Sequence, residues 1–256
     1  MKLEGLPCQH FHAQIDFAPL HERVYVELRQ ALMSGKFEPG QKLTSRKLAA
    51  ALGTSDMPVR AAISRLTAEG GLVQRSNGTF IVPRVTRPAF KELMELRSLL
   101  EGRATSLACG RIDAEGLRRL HKYSDELDRA AAADDIVKYL DVNQKLKFTI
   151  YSYCGSPKLY LLIEILWLQA GPALRYHAKV LRGITDINFH RQAITALGTR
   201  KRAAAGVAIA RDIRAGMEAL LAVAQFADDE TSEEPIPDDQ RRVRKTGARI
   251  KCRYCR

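Results

Sequence analysis

Leu20, Val24, Leu28 and Leu32 fall four residues apart, which puts one apolar stripe on a helix that Gly35 stops. The run Phe37-Glu38-Pro39-Gly40 then reads as a turn, because Pro presets φ and Gly accepts backbone angles that other residues resist. Thr44 or Ser45 can cap a second short helix with Leu48 and Leu52 inward and Gly53 at its end. A third helix is predicted from about Asp56 to Glu69, with Val59, Ile63 and Leu66 on its buried face. Two β-prone runs, Leu72 to Arg75 and Thr79 to Val82, flank Ser76-Asn77-Gly78, and Asn-Gly between such runs is a strong hairpin signal. Helices joined across Gly53-Thr54-Ser55, packed on a first helix and trailed by a hairpin, predict a winged helix-turn-helix over residues 20–84, preceded by an arm at 1–19.

From Pro88 to Phe226 only helical stripes follow: Phe90/Leu93/Leu96/Leu100/Leu107, Leu117/Leu120/Leu127, Tyr139/Val142/Leu146/Ile150/Tyr153, Leu159/Leu162/Leu166 and Val207/Ala210/Ile213/Met217/Leu220. Gly155-Ser156-Pro157 divides two of these helices, since Pro disfavours helix at the residue before it. The fold expected is mostly α, with a second, all-helical domain over residues 85–226.

Composition sharpens this picture. A 256-residue chain with 46% hydrophobic residues can bury sizeable cores, so disorder of the whole chain is excluded. Residues 227–256 are different: an acidic stretch from Asp228 to Asp239 precedes eight basic residues, with almost nothing apolar, and reads as a disordered charged tail. The N-terminus carries Glu4, Gln9, His10, His12 and Asp16 where a signal peptide needs an apolar stretch, and Glu164 breaks the most apolar segment. No membrane span is expected, and a cytoplasmic protein is. Five scattered cysteines argue for reduced thiols. The net charge of +12 makes a polyanion partner plausible, but it is spread as +4, +7 and +1 over residues 1–84, 85–226 and 227–256, so it does not single out a nucleic-acid face.

The run Leu32-Met33-Ser34-Gly35-Lys36-Phe37-Glu38-Pro39-Gly40-Gln41-Lys42-Leu43, followed by Ser45-Arg46-Lys47-Leu48-Ala49 and by Ser55-Asp56-Met57-Pro58-Val59-Arg60-Ala61-Ala62-Ile63, closely resembles the GntR family of bacterial transcription regulators. The resemblance implies double-stranded operator DNA as partner, with Arg46, Arg60 and the wing tip near Gly78 as contacts. Ser45, Ser55, Met57, Pro58 and Arg65 are further candidates. A recognition helix brings its first turn toward phosphate, where unpaired N–H groups attract anions, and Ser55 is the expected N-cap. Each residue has a bland competitor: Arg65, late in the helix, can simply be solvated, and Pro58 can merely fix the helix start. Asp56 stands where the family usually places an Arg. It repels phosphate but can accept a hydrogen bond from a cytosine amino group, so a divergent operator is expected.

Glu95-Leu96-Arg97-Ser98-Leu99-Leu100-Glu101 and Ala104 to Arg111 resemble the opening helix of the ligand-binding domain in the FadR subfamily of that family, an antiparallel helical bundle commonly holding a central metal. Anchored on Gly155-Ser156-Pro157-Lys158-Leu159, the ligating Asp corresponds to Asn143 and the first ligating His to Lys147. His190 matches the third ligand, and Asp212 falls where the last His belongs. An ammonium in place of a ligand implies no bound metal and no cofactor, with Lys147 paired to Asp212 or to an acidic effector. The competing reading has Lys147 snorkelling to solvent. Arg97 and Arg175 join Asn143, Lys147, His190 and Asp212 as effector-site candidates, with Tyr176 and His177 beside them; together Arg97, Lys147 and His190 favour a carboxylate or phosphate ligand. Tyr139 and Trp167 are expected in the core.

No Gly-rich phosphate loop, His-Glu-x-x-His or Gly-x-Ser-x-Gly occurs, so an enzyme is not expected. Cys252-Arg253-Tyr254-Cys255, a lone Cys-x-x-Cys in the tail, is a weak zinc signal. The reading is a homodimeric regulator, a repressor by family habit, whose operator affinity responds to a small organic acid. The alternative is an architectural DNA binder with no effector.

Overall fold

The computed structural model describes residues 19–76, 78–176 and 188–229; His177, the N-terminal arm, Asn77 and the tail beyond Asp229 lie outside them. Helix α1 (Leu20–Met33) buries Val24, Tyr25, Leu28, Leu32 and Met33. The stripe thus starts one turn later than its periodicity suggests, since Leu20 is half-exposed. Gly35, at φ +69°, ends the helix, with Lys36 N–H donating back to the Ala31 carbonyl. Thr44, not Ser45, caps α2 (Ser45–Ala51) by accepting from Lys47 N–H. Helix α3 (Asp56–Ala68) buries Val59, Ala62, Ile63 and Leu66 against α1, each large aliphatic contributing about 1.5–3 kcal/mol by leaving water.

The hairpin is present as β2 (Val73–Gln74) and β3 (Phe80–Ile81), with Gly78 at φ +75° in its turn. It gains a third strand that local pattern does not announce. Strand β1 (Lys42–Leu43) pairs antiparallel with β3 through Lys42–Ile81 and Leu43–Phe80, giving the order β1-β3-β2. Two residues carry no usable alternation, and only the partner makes them a strand.

The second domain is a helical bundle: α4 (Arg87–Ala108), α5 (Ala114–Ala132), α6 (Ile136–Ser152), α7 (Pro157–Leu174), α8 (Phe189–Gly198) and α9 (Arg202–Val223). Helices α4 and α9 approach so closely that a Cβ on Gly206 would lie 2.7 Å from the Gly102 carbonyl oxygen. Three expected core positions turn outward instead: Leu96, Leu162 and Val207 are each about half-exposed. In α7 the buried face is Ile163, Trp167, Ala170 and Leu174; a segment apolar all round cannot reveal its inner face by periodicity.

The expected tail begins three residues late. Ala227–Asp229 forms a 3₁₀ turn behind buried Phe226, which packs on Phe90 with ring centroids 5.4 Å apart. Ala227 N–H donates to Val85 O at 3.0 Å and Asp229 pairs with Arg87 at 2.8 Å, so the end of the bundle clasps the linker between the domains. No helix of the described residues is long and apolar enough to cross a membrane.

The domains also meet along α1 and α7. Gly171 lies under the C-terminal turn of α1, where an added Cβ would stand 2.2 Å from Leu32 O. Around this seat Arg29 pairs with Glu164 at 2.8 Å, and Gln30 donates to Gln144 at 2.7 Å. Gln169 donates to Glu69 O, at the C-terminus of α3, at 3.1 Å.

Candidate DNA-binding surface and effector cavity

The start of α3 points away from the body: Met57 is 79% exposed, and the Arg60 side chain reaches out one turn later. Arg60 is tethered by an ion pair to Asp56, four residues before it on the same helix face. The hydroxyl of Ser45, at the start of α2, and then the Arg60 guanidinium hold the Asp56 carboxyl below its usual range. Ser45, Arg46, Asp56 and Arg60 therefore form one cluster where the N-termini of α2 and α3 meet, and the unexpected Asp56 orients the arginine. Met57 and Pro58 share this end of α3, and Gly78 is exposed at the wing tip.

Two expectations at this surface are corrected. Ser55 has the extended backbone of an N-cap but makes no side-chain capping bond. Arg65 is tied into its own domain, bridging α3 to α1: its guanidinium stacks 3.7 Å from the Tyr25 ring centroid and pairs with Glu22 at 3.0 Å and Glu69 at 3.2 Å. Its local spacing to Glu69 is visible in sequence, but the Tyr25 ring that captures it is 40 residues away.

Inside the bundle, α4, α6, α7, α8 and α9 enclose a cavity of about 40 Å³ lined by Arg97, Tyr139, Asn143, Lys147, Leu174, His190 and Asp212, among others. Lys147 is 3% exposed and its Nζ lies 2.5 Å from Asp212 Oδ2. It does not snorkel. His190 Nε2 lies 3.1 Å from Asn143 Oδ1 and 3.5 Å from Asp212 Oδ2. Burial pushes the His190 pKa below its ordinary value and the Lys147 charge adds to this, against the opposing pull of Asp212. The imidazole is held neutral, donating from Nε2 to the Asn143 amide oxygen.

Arg97 also lines the cavity, but its charge is already met. Its Nε donates to Glu101 at 2.8 Å, with both side chains almost wholly buried, and the guanidinium lies 4.3 Å from the Trp167 ring centroid. Tyr151 donates its hydroxyl hydrogen to the other Glu101 oxygen, and burial, then Glu101, pushes the Tyr151 pKa well up. Glu101 and Tyr151 are the members that sequence reasoning missed. Arg97 and Glu101, opposite charges four apart on one face, were the available signal.

Arg175 is the candidate that does not belong. It stands at the far side of α7, pairing with Glu38 at 2.9 Å and donating to Gly35 O at 3.5 Å in the DNA-binding domain. Its neighbour Tyr176 packs on the core, and Tyr139, expected in the core, lines the cavity, where burial and then Asp212 raise its pKa. Trp167 is core, as expected, against Arg97. Among the described residues no group of three or more His, Cys, Asp or Glu could hold a metal ion. The metal common in this kind of bundle does not fit these residues, because a buried ammonium occupies the carboxylate that would bind it.

A winged helix with a free recognition-helix start, seated through one helix on a bundle with a charged internal cavity, defines a DNA-binding regulator with a sensing domain. Comparison with known proteins makes the class specific. Residues 20–82 match the model of the bacterial regulatory proteins of the gntR family, and residues 92–231 match the FCD domain. The chain is 32% identical over 150 residues to the HTH-type transcriptional regulator McbR of Escherichia coli K12, covering 59% of this chain and 68% of McbR. The solved E. coli McbR/YncC structure superposes with a TM-score of 0.75 at 27% identity, over 80% of this chain and 98% of that one. A putative GntR regulator from Rhodococcus sp. RHA1 shares the fold, with a TM-score of 0.61 at 22% identity over 79% of this chain and 97% of its own. The chain belongs to the GntR family and is a transcriptional regulator carrying an FCD effector-binding domain; its families and relatives are regulators, not enzymes.

Proposed function

We propose that the protein is a cytoplasmic repressor that binds a two-fold operator as a homodimer and is controlled by a small organic acid entering the α4–α9 cavity. The observation that carries this reading is the position of α7. Its Leu174 walls the cavity and its Gly171 seats the DNA-binding domain, three residues apart on the same helix. A cavity of about 40 Å³ holds little more than a water, whereas ligand sites commonly run to several hundred Å³. An acid of several heavy atoms therefore enters only by moving a wall, and a ligand that favours the opened state shifts the equilibrium between domain arrangements by that preference. A carboxylate can exchange with Asp212 on Lys147. A thermal-shift screen with small carboxylates tests the reading: stabilisation by one of them, followed by altered operator affinity, supports it. Indifference to all would favour the effector-free architectural binder.

The operator side rests on Arg46 and Arg60, supported by Ser45, Asp56, Met57 and the wing at Gly78. Arg60→Ala is expected to weaken binding to operator fragments selected from the source genome by roughly 1–3 kcal/mol. Unchanged affinity in a fluorescence-anisotropy titration would remove Arg60 from the interface. Because Asp56 orients this arginine, Asp56→Asn should relax the preferred sequence more than it lowers nonspecific binding.

Two-fold operators need two recognition helices about 34 Å apart. Leu96 and Leu99 on α4 and Val207 on α9 are exposed on two helices that touch at Gly102 and Gly206, and we assign this face to the dimer contact. Leu99→Glu is expected to halve the mass measured by light scattering; an unaltered mass would place the contact elsewhere.

A further inference from the structure

We infer that the cavity retains the geometry of a divalent-metal site whose cation has been replaced by the ammonium of Lys147, and that two substitutions turn it into a metal centre. The inference deepens the effector-site reading above and rests on the same cavity. Asn143 Oδ1 and His190 Nε2 are 3.1 Å apart, and His190 Nε2 and Asp212 Oδ2 are 3.5 Å apart. Oxygen and nitrogen donors bound at about 2.0–2.2 Å around one tetrahedral ion stand roughly 3.4 Å from each other. His190 on α8 therefore already stands at the separation that a shared ion imposes from a donor on α6 and from another on α9.

What holds them there is the fourth member. Lys147 is one helical turn from Asn143 on α6, is 3% exposed, and reaches Asp212 at 2.5 Å. Its single positive charge against the Asp212 carboxylate, with a neutral amide and a neutral imidazole beside them, leaves the cluster uncharged. Charge balance also states what a metal would require. Asn143→Asp with Lys147→His changes one ammonium, one carboxylate, one amide and one imidazole into two carboxylates and two imidazoles, a set of charge −2 that one divalent ion neutralises. A set with nitrogen and oxygen donors in this number suits zinc or nickel.

The replacement also limits the ligand. An ammonium offers N–H donors and no open coordination position, so the cavity suits a simple carboxylate that exchanges with Asp212. It gives no advantage to an acid that chelates, and the response of the protein to an acid should be unaffected by EDTA.

The test measures metal content and thermal midpoint, and reads neither DNA binding nor an effector, so its failure leaves the regulator reading standing. Wild-type protein, the Asn143→Asp/Lys147→His variant, and both with His190→Ala added are incubated with Zn²⁺ or Ni²⁺, desalted and assayed for retained metal. Only metal lost on adding His190→Ala is counted, which removes binding by thiols or histidines elsewhere. The expected result is a rise in His190-dependent metal from near zero in wild type to about one ion per chain in the double variant, with a midpoint raised by metal and lowered again by EDTA. Stoichiometric, His190-dependent metal in wild type overturns the inference, because the ammonium then does not serve as the cation. A double variant that is helical by circular dichroism but retains no such metal overturns it too. Should that variant not fold, Lys147→His alone decides: it keeps Asn143, and His190-dependent uptake supports the inference while none refutes it.

Discussion

Gly171→Ala is expected to unseat the DNA-binding domain from the bundle. Within an isolated helix the substitution is favourable by about 1 kcal/mol. Here the added methyl would stand 2.2 Å from Leu32 O and 2.7 Å from Met33 Cα, both backbone atoms of α1 that no rotamer change can move. Insertion into a packed contact usually costs about 1–3 kcal/mol, and a clash with backbone belongs at the upper end, so the net effect is destabilising. The strain is relieved by lifting α1 from α7, which also removes the Arg29–Glu164 and Gln30–Gln144 bridges and the bond from Gln169 to Glu69 O. The buried apolar residues of the two domains form one continuous cluster, and lifting α1 from α7 divides it, so the expected signature is separation of unfolding into two transitions. Hydrogen exchange should rise in residues 28–35 and 66–72 while the bundle interior stays protected. A single transition at the wild-type midpoint would show that the seat does not hold the domains together. Because Trp167 lies one helical turn from Gly171 and against Arg97, its fluorescence reports in the same experiment whether the cavity wall has followed.

The features legible in sequence are those whose cause is local. Gly35, the Pro39-Gly40 turn, Gly53 and Gly78 constrain their own backbone, and all four glycines take positive φ. The Lys147–Asp212 pair was legible for another reason: an alignment anchored at Gly155-Ser156-Pro157 carries no gap back to α6, and a buried ammonium needs a carboxylate. Where the cause lies in a distant segment, sequence alone was a poor guide. Strand β1 exists because Phe80 and Ile81 are beside it, Arg65 is held by Tyr25, and Arg175 faces Glu38 across the domain boundary. The face of α7 was misjudged because Leu159 to Leu168 is apolar on every side but one, leaving the packing of α1 and α4 to choose it. Arg97 lines the cavity, but its neutralisation by Glu101 depends on both being buried together, which local sequence does not reveal.

Lys147→Met should be the most destabilising single substitution in the bundle. Methionine matches the length of lysine and fills the same channel, so little volume is lost. The cost is electrostatic: the Asp212 carboxylate, 17% exposed, loses the cation it touches. Breaking a buried pair from one side commonly costs about 3–5 kcal/mol, and the partial exposure of Asp212 points to the lower end of that range. The pH dependence separates this cause from simple misfit. In the wild type the Lys147 charge helps to keep His190 neutral, whereas Asp212 favours its protonation. With the ammonium gone, burial, the larger cause of the depression, and the pull of Asp212 both remain, so the His190 pKa in the variant rises from its wild-type position toward the ordinary value. Because the variant's His190 takes up its proton at a higher pH than the wild type's, the variant gains stability relative to wild type as pH falls through that window. An imidazolium can therefore stand in for the missing ammonium at low pH, and the deficit of Lys147→Met relative to wild type should be largest near pH 8 and shrink toward pH 5.5. Urea midpoints at the two pH values measure this, and adding Asp212→Asn should recover much of the loss at pH 8 by removing the carboxylate that needs the charge. A deficit independent of pH and not relieved by Asp212→Asn would mean that Lys147 acts through its packing alone, and that the ion pair contributes nothing to the bundle.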